Sequence, residues 1–127
     1  MTMTKDSSRA SPRLRLRIVF DDGTMIGPGK ADLLELIRDT GSISAAGRAM
    51  RMSYKRAWML VDTMNATFQA PVVQSIRGGP QGGGASLTET GATVLHHYRA
   101  LEATCQSAGA QDVAALQGLL ADGDARE

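Results

Sequence analysis

The stretch Gly41-Ser42-Ile43-Ser44-Ala45-Ala46-Gly47-Arg48-Ala49-Met50-Arg51-Met52-Ser53-Tyr54-Lys55-Arg56-Ala57-Trp58 contains two helix starts close together. Ser42 and Ser53 are both good N-caps, because a serine hydroxyl accepts a hydrogen bond from a first-turn N–H. Between them Ile43, Ala46 and Met50 fall on one side of a helix over 43–51, and Ser44, Arg48 and Arg51 on the other. Ala45, Ala46, Gly47 and Ala49 are all small, which lets another helix cross closely. After a short break at Arg51-Met52-Ser53, a helix over roughly 54–68 buries Ala57, Leu60, Val61, Met64 and Phe68 at helical spacing. Lys55, Met59 and Asp62 point outward, with Arg56 on one flank and Trp58 on the other.

The flanks extend this pair. Upstream, Leu14 to Phe20 nearly alternates, with Leu14, Leu16, Ile18 and Phe20 on one strand face and Arg13, Arg15 and Arg17 on the other. Asp21-Asp22-Gly23 is a turn and Thr24-Met25-Ile26 a short return strand, broken by Gly27-Pro28-Gly29. A helix over 30–39 follows, with Leu33, Leu34 and Ile37 buried and Gly41 as its stop. Downstream, Pro71 ends the helix that starts at Ser53. Val72 to Ile76 and Ala85 to Leu87 form a hairpin around the glycine-rich tip 77–84. Thr88 caps a long helix through about Cys105, whose apolar stripe is Val94, Leu95, Tyr98, Leu101 and Cys105. One short helix after Gly109 completes the chain, and the last residues, from Asp122, read as frayed.

Two helices with a tight break, then a glycine hairpin, predict a winged helix-turn-helix: mainly α, with a small antiparallel β wing and a long C-terminal helix. The predicted organisation is an arm over 1–12, one domain over 13–107, and a helix or tail over 108–127. In such a fold the second helix of the pair lies in the major groove and its first turns meet base edges. The candidate DNA-contacting residues are therefore Ser53, Tyr54, Lys55, Arg56 and Trp58 on that helix, with Ser44, Arg48 and Arg51 over the phosphate backbone. Arg77 and Gln81 on the wing are placed to enter a minor groove.

Charge agrees with this. The 127 residues carry a net charge of only +1. Within them, residues 48–77 hold Arg48, Arg51, Lys55, Arg56 and Arg77 against Asp62 alone, whereas residues 78–127 are net acidic. A basic middle beside an acidic tail suits an anionic partner met by one face. The plainer reading is a solvated surface. Arg13, Arg15 and Arg17 fit a solvated strand face better than a groove contact, and Trp58 serves equally well as packing against the wing.

Apolar residues make up 43% and charged residues 21%, an ordinary globular balance. No run approaches the roughly 18 apolar residues of a membrane helix. The polar first residues and the lone Cys105 suggest a cytoplasmic protein with no internal disulfide. Gly78 to Gly84 lacks the Gly-Lys-Ser/Thr ending of a nucleotide-phosphate loop. No catalytic constellation and no cofactor is indicated. His96, His97 and Cys105 lie on one predicted helix, which alone cannot complete a metal site, so packing is their default and a metal sensor the minority alternative. A protein-interaction module using the acidic C-terminal half is the other alternative.

Three motifs in order give a more specific resemblance: Thr40-Gly41-Ser42-Ile43-Ser44-Ala45-Ala46, Ser53-Tyr54-Lys55-Arg56-Ala57-Trp58, and the glycine wing followed by Leu87-Thr88-Glu89-Thr90-Gly91. Over about residues 13–107 the chain resembles the N-terminal domain of the ModE family of molybdate-responsive bacterial regulators; its helix-turn-helix also resembles that of LysR-type regulators. The resemblance implies a homodimer on double-stranded DNA, with the helix of Ser53 to Trp58 reading bases and the long helix (Val94, Leu95, Tyr98, Leu101, Cys105) dimerising. Full-length family members continue into molybdate-binding domains built from small β-barrels. Only about twenty residues follow the long helix here. The expectation is a regulator without an effector domain in cis, served by a separate effector protein or binding constitutively.

Overall fold

A computed structural model describes residues 12–76 and 84–121. The wing tip, with Arg77 and Gln81, lies outside the described residues, as do most of the expected arm and the last residues of the chain. The described residues divide between two compact units: those within 16–100, and those within 1–15 and 101–127. The division falls inside the expected 13–107 domain because the backbone N–H of Leu14 donates to Gln106 Oε1 at 2.9 Å, tying the start of the chain to the end of the long helix.

In the larger unit, β1 (Ile18–Val19) pairs antiparallel with β2 (Met25–Ile26), Ile18 opposite Ile26 and Val19 opposite Met25. The strand is shorter than the expected Leu14 to Phe20, since β2 offers only two partners before Gly27 and Pro28. The turn is fixed by Asp22, whose carboxylate accepts from the Thr24 N–H (3.0 Å) and hydroxyl (2.6 Å).

α1 runs Pro28–Thr40, two residues earlier than expected. Pro28 does not break the chain here. It occupies the first helical turn, where its missing N–H costs nothing. Gly41 closes α1 at φ +73°, its N–H donating to Ile37 O at 2.8 Å. α2 (Ile43–Ala49) and α3 (Tyr54–Thr67) follow with both serine caps in place: Ser42 Oγ accepts from Ala45 N–H at 2.9 Å, and Ser53 Oγ from Arg56 N–H at 3.1 Å.

β3 (Val73–Ile76) and β4 (Gly84–Leu87) form the base of the wing in a four-pair antiparallel register from Val73–Leu87 to Ile76–Gly84. Asn65 near the end of α3 positions it: its Oδ1 accepts from the Val72 and Val73 N–H groups at 2.8 and 3.1 Å. Gly41 O accepts from Ala85 N–H at 2.9 Å, fastening β4 to the junction between α1 and α2. α4 (Glu89–Ala108) begins at the expected cap, Thr88 Oγ accepting from Gly91 N–H at 2.9 Å, and runs three residues past Cys105. Gly91 is backed directly onto the Val72 carbonyl, and any Cβ there would fall inside that group.

The core of this unit gathers Leu33, Leu34, Ile37, Val61, Met64 and Val72, all essentially inaccessible, with Leu95 and Tyr98 from α4. Each such side chain contributes about 1.5–3 kcal/mol by leaving water. Leu60 and Phe68, expected inside, are only half-buried. Arg99 ties α4 to α1 through Asp32 (2.8 Å) and Glu35 (2.9 Å), and the Tyr98 hydroxyl donates to Leu16 O at 2.7 Å. The result is the mainly α, winged-helix-like fold. In the smaller unit the last turns of α4 are followed by α5 (Ala110–Gly118), none of whose residues is buried.

Candidate nucleic-acid interface

The junction of α2 and α3 is built from small residues and one strained one. A Cβ added to Gly47 would lie 3.0 Å from the Ala57 Cβ, so Gly47 with Ala46 marks the closest approach of the helices. Ala49, expected to share this role, is exposed instead. It lies round the helix from the side that α3 crosses.

The turn itself is a Schellman closure. Met52 N–H donates to Gly47 O and Arg51 N–H to Arg48 O, both at 3.0 Å. Such a closure needs its C′ residue in the left-handed region and usually has glycine there. Here that residue is Arg51, at φ +60°, the only non-glycine residue with positive φ among those described. A charged side chain is thus held at the helix junction at a conformational cost of about 1–2 kcal/mol.

The expected residues of the two helices all lie in the larger unit, on α2, on α3 or in the turn that joins them. Arg48, Arg51, Ser53, Tyr54, Lys55 and Arg56 are exposed, and Ser44 is half-buried. Arg48 Nη1 donates to Ser44 Oγ at 2.9 Å, one turn apart on α2. Ser53 serves α3 as its cap, which leaves its hydroxyl proton available to donate. Lys55 and Arg56 project from the first turn of α3, where the helix dipole is positive and no acidic residue is present. Asp62 lies nearly two turns further along.

Trp58 is half-buried and packs against the core. Tyr54 is 57% exposed and meets Trp58 edge-on, the centroids 6.2 Å apart. With Ser42, Ser44, Ser75 and Ile76 they line a groove of about 390 Å³ between α2, α3 and the wing strands. Trp58 is therefore the half-buried wall of this groove, while Tyr54 is the accessible ring.

The expected dimerisation stripe divides. Leu95 and Tyr98 are enclosed by the core of their own chain, and Val94 packs against it. Leu95 and Tyr98 have little surface left for a second copy. In the smaller unit Leu101 is 39% exposed and Cys105 half-buried. His96 and His97 are both exposed, their rings 5.2 Å apart. No group of three His, Cys, Asp or Glu side chains suited to a metal occurs among the described residues, and no described helix is long and apolar enough to cross a membrane.

Comparison with known proteins agrees with this frame. The chain is 43% identical over 94 residues, 74% of its length, to the molybdenum transport protein ModE of Azotobacter vinelandii. The chain is ModE-like. It is also 41% identical over 104 residues to the molybdenum-pterin-binding protein MopB of Rhodobacter capsulatus. Over 81 residues it is 36% identical to the DNA-binding transcriptional dual regulator ModE of Escherichia coli K12. The matched segments make up 35%, 38% and 31% of those three proteins, so this ModE-like chain spans about a third of the length of the curated relatives it matches. No family model matches it. The names of these relatives are those of regulators and molybdenum proteins, not of enzymes.

Two positioning residues carried no signal in the sequence pattern. Asn65 looks like any polar residue on an exposed helix face until β3 arrives beside it. Arg51 looks like a residue chosen for charge alone, and its left-handed backbone follows only from the pairing of the turn around it.

Proposed function

We propose that this ModE-like chain is a sequence-specific DNA-binding transcription regulator that acts as a homodimer on a palindromic site. The observation that carries the reading is the exposed, acid-free end of α3. Lys55 and Arg56 stand on its first turn, shortly after Arg48 and Arg51 in the chain, at a tight helix-to-helix turn of the kind that enters a major groove. Arg48 and Arg51 neutralise phosphates, Lys55 or Arg56 pairs with guanine edges at about 1–3 kcal/mol of discrimination, and Tyr54 adds an exposed ring. That one relative is named a DNA-binding dual regulator supports the same reading.

The homodimer is supported by the smaller unit. A nine-residue helix with nothing buried is marginal in water on its own. It carries Leu116 at 65% exposure and is followed by Leu119 and Leu120 at 80% and 61%; Leu101, on α4 in the same unit, is 39% exposed. A second copy covering these leucines would give the dimer that a palindromic site requires, its half-sites about 34 Å or a multiple apart.

The test is selection of bound duplexes from a fragmented source genome at moderate salt, repeated with Lys55→Ala and Arg56→Ala. The wild type is expected to enrich a palindrome. The variants are expected to lose site preference while keeping the folded dimer. Unchanged preference in both variants would move base reading elsewhere, and no enrichment by the wild type would favour a protein-binding winged helix.

A further inference from the structure

On the other flank of α3 a second basic surface is present that helix-turn-helix geometry does not require. Arg17, Lys30 and Arg56 line one groove of about 400 Å³, with Met52 and Leu60 among its other walls and no carboxylate among the lining residues. These three cations come from the segment before β1, from the first turn of α1, and from α3. Segments this far apart in sequence are brought together by the fold alone. Gathering like charges without a counter-ion costs free energy that a bound anion removes.

Lys30 makes the point locally. It sits in the first turn of α1, at the positive end of the helix, where a cation is disfavoured by about 0.3–1 kcal/mol. That turn contains no acidic residue, and its N-cap, Gly27, makes no side-chain capping bond. Lys30 Nζ donates one hydrogen bond, to Met25 O at 3.1 Å; an ammonium has two more to give. Gly29 has nothing within 4 Å of where a Cβ would stand, so a ligand can approach its backbone from open space. A local rule broken without internal compensation is characteristic of a functional position.

We infer that this groove is a phosphate site, and that its phosphate is a phosphodiester of the duplex held by α3. The duplex is favoured as source because Arg56 belongs at once to this groove and to the first turn of α3. The inference rests on the DNA-binding reading and extends the footprint to α1 and to the segment before β1. Arg17, read from the sequence as solvated, becomes a backbone contact, and Lys30 joins it.

Phosphate contacts position a protein without reading bases, and each one lost lowers the salt slope of binding by about 1. The experiment measures duplex affinity against salt for the wild type, Arg17→Gln, Lys30→Gln, and Arg38→Gln as a charge-matched control near the far end of α1. The first two variants are expected to bind every duplex sequence several-fold more weakly, with the slope reduced by about 1, and Arg38→Gln to change neither. Gly29→Asp keeps the test independent of folding. It places an acid where the helix favours one, so Tm is expected to hold or rise while duplex affinity falls about tenfold. Slopes and affinities of Arg17→Gln and Lys30→Gln equal to wild type would overturn the inference and leave the DNA reading intact.

Amide shifts at Gly29 and Lys30 separate the two sources of phosphate. Shifts with duplex but not with inorganic phosphate at matched ionic strength support the duplex backbone. Saturable shifts with inorganic phosphate alone would instead show a free-oxyanion site. If the wild type binds no duplex, the DNA reading and the duplex source fall together, and the inorganic phosphate titration then decides whether the groove binds phosphate at all.

Discussion

Arg51→Gly is expected to make the protein more stable and a weaker DNA binder. Arg51 holds φ +60° as the C′ residue of the α2 closure, with its N–H and that of Met52 satisfied by Arg48 O and Gly47 O. A non-glycine residue in that region costs about 1–2 kcal/mol. Glycine removes the cost but gives up about 0.5–1 kcal/mol through its freer unfolded chain. Arg51 is exposed, so little packing is lost with the side chain. The net gain is about 0.5–1 kcal/mol, which for a domain of this size raises Tm by a few degrees. If Arg51 meets a phosphate, the same variant loses one unit of salt slope. Thermal melts and a salt titration of duplex binding by fluorescence anisotropy read the two effects separately. Arg51→Lys is the control: it keeps the charge and the strained backbone, so both readouts should stay near wild type. A lower Tm for Arg51→Gly would refute the strain argument. A raised Tm with unchanged salt dependence would refute the phosphate role while leaving the strain argument standing.

Gly91→Ala is expected to unfold the protein or lower its Tm by ten degrees or more, because its Cβ meets the Val72 carbonyl, which is backbone and cannot rotate aside; circular dichroism melts check this. Asn65→Ala strands the Val72 and Val73 N–H groups, both on buried residues. The cost is about 2 kcal/mol, read from urea midpoints, and the amides of β3 should exchange faster than those of α1. The hydrogen bonds from Thr24 hold the Asp22 carboxyl below its ordinary range. Their contribution to the β1–β2 turn is therefore present above the unfolded aspartate pKa and lost as pH falls through the lower folded value. A pH titration of the Thr24 amide shift should show this step in the wild type and none in Asp22→Asn.

The caps were legible because their chemistry is local. Ser42, Ser53 and Thr88 each bond an N–H three residues on, and a serine or threonine before an apolar period says so directly. The stripe of Leu33, Leu34 and Ile37 was legible for the same reason. What failed was assigned by distant partners. Pro28 reads as a stop or as a first-turn residue with equal ease, and only the short β2 settles which. Leu95 and Tyr98 belong to one continuous apolar stripe with Leu101. Periodicity marks the stripe but cannot tell which part of it the chain's own core takes up. Of the candidate site, the basic turn of α3 was plain in the sequence, while Lys30 was invisible, since α1 and α3 are separated by α2 in the chain.

The hydrogen bond from Ala85 to Gly41 has a consequence for how such proteins change over time. It anchors the wing close to its outermost pair, Ile76–Gly84, instead of only at its root. The Ile76–Gly84 pair is thereby held to the scaffold through its neighbour Ala85. Loop closure between Ile76 and Gly84 rises by only about 0.6 kcal/mol for each doubling of the connection's length. The length of the connection from Ile76 to Gly84 is therefore a trait that lineages, or an engineer, can vary while α3 keeps its place.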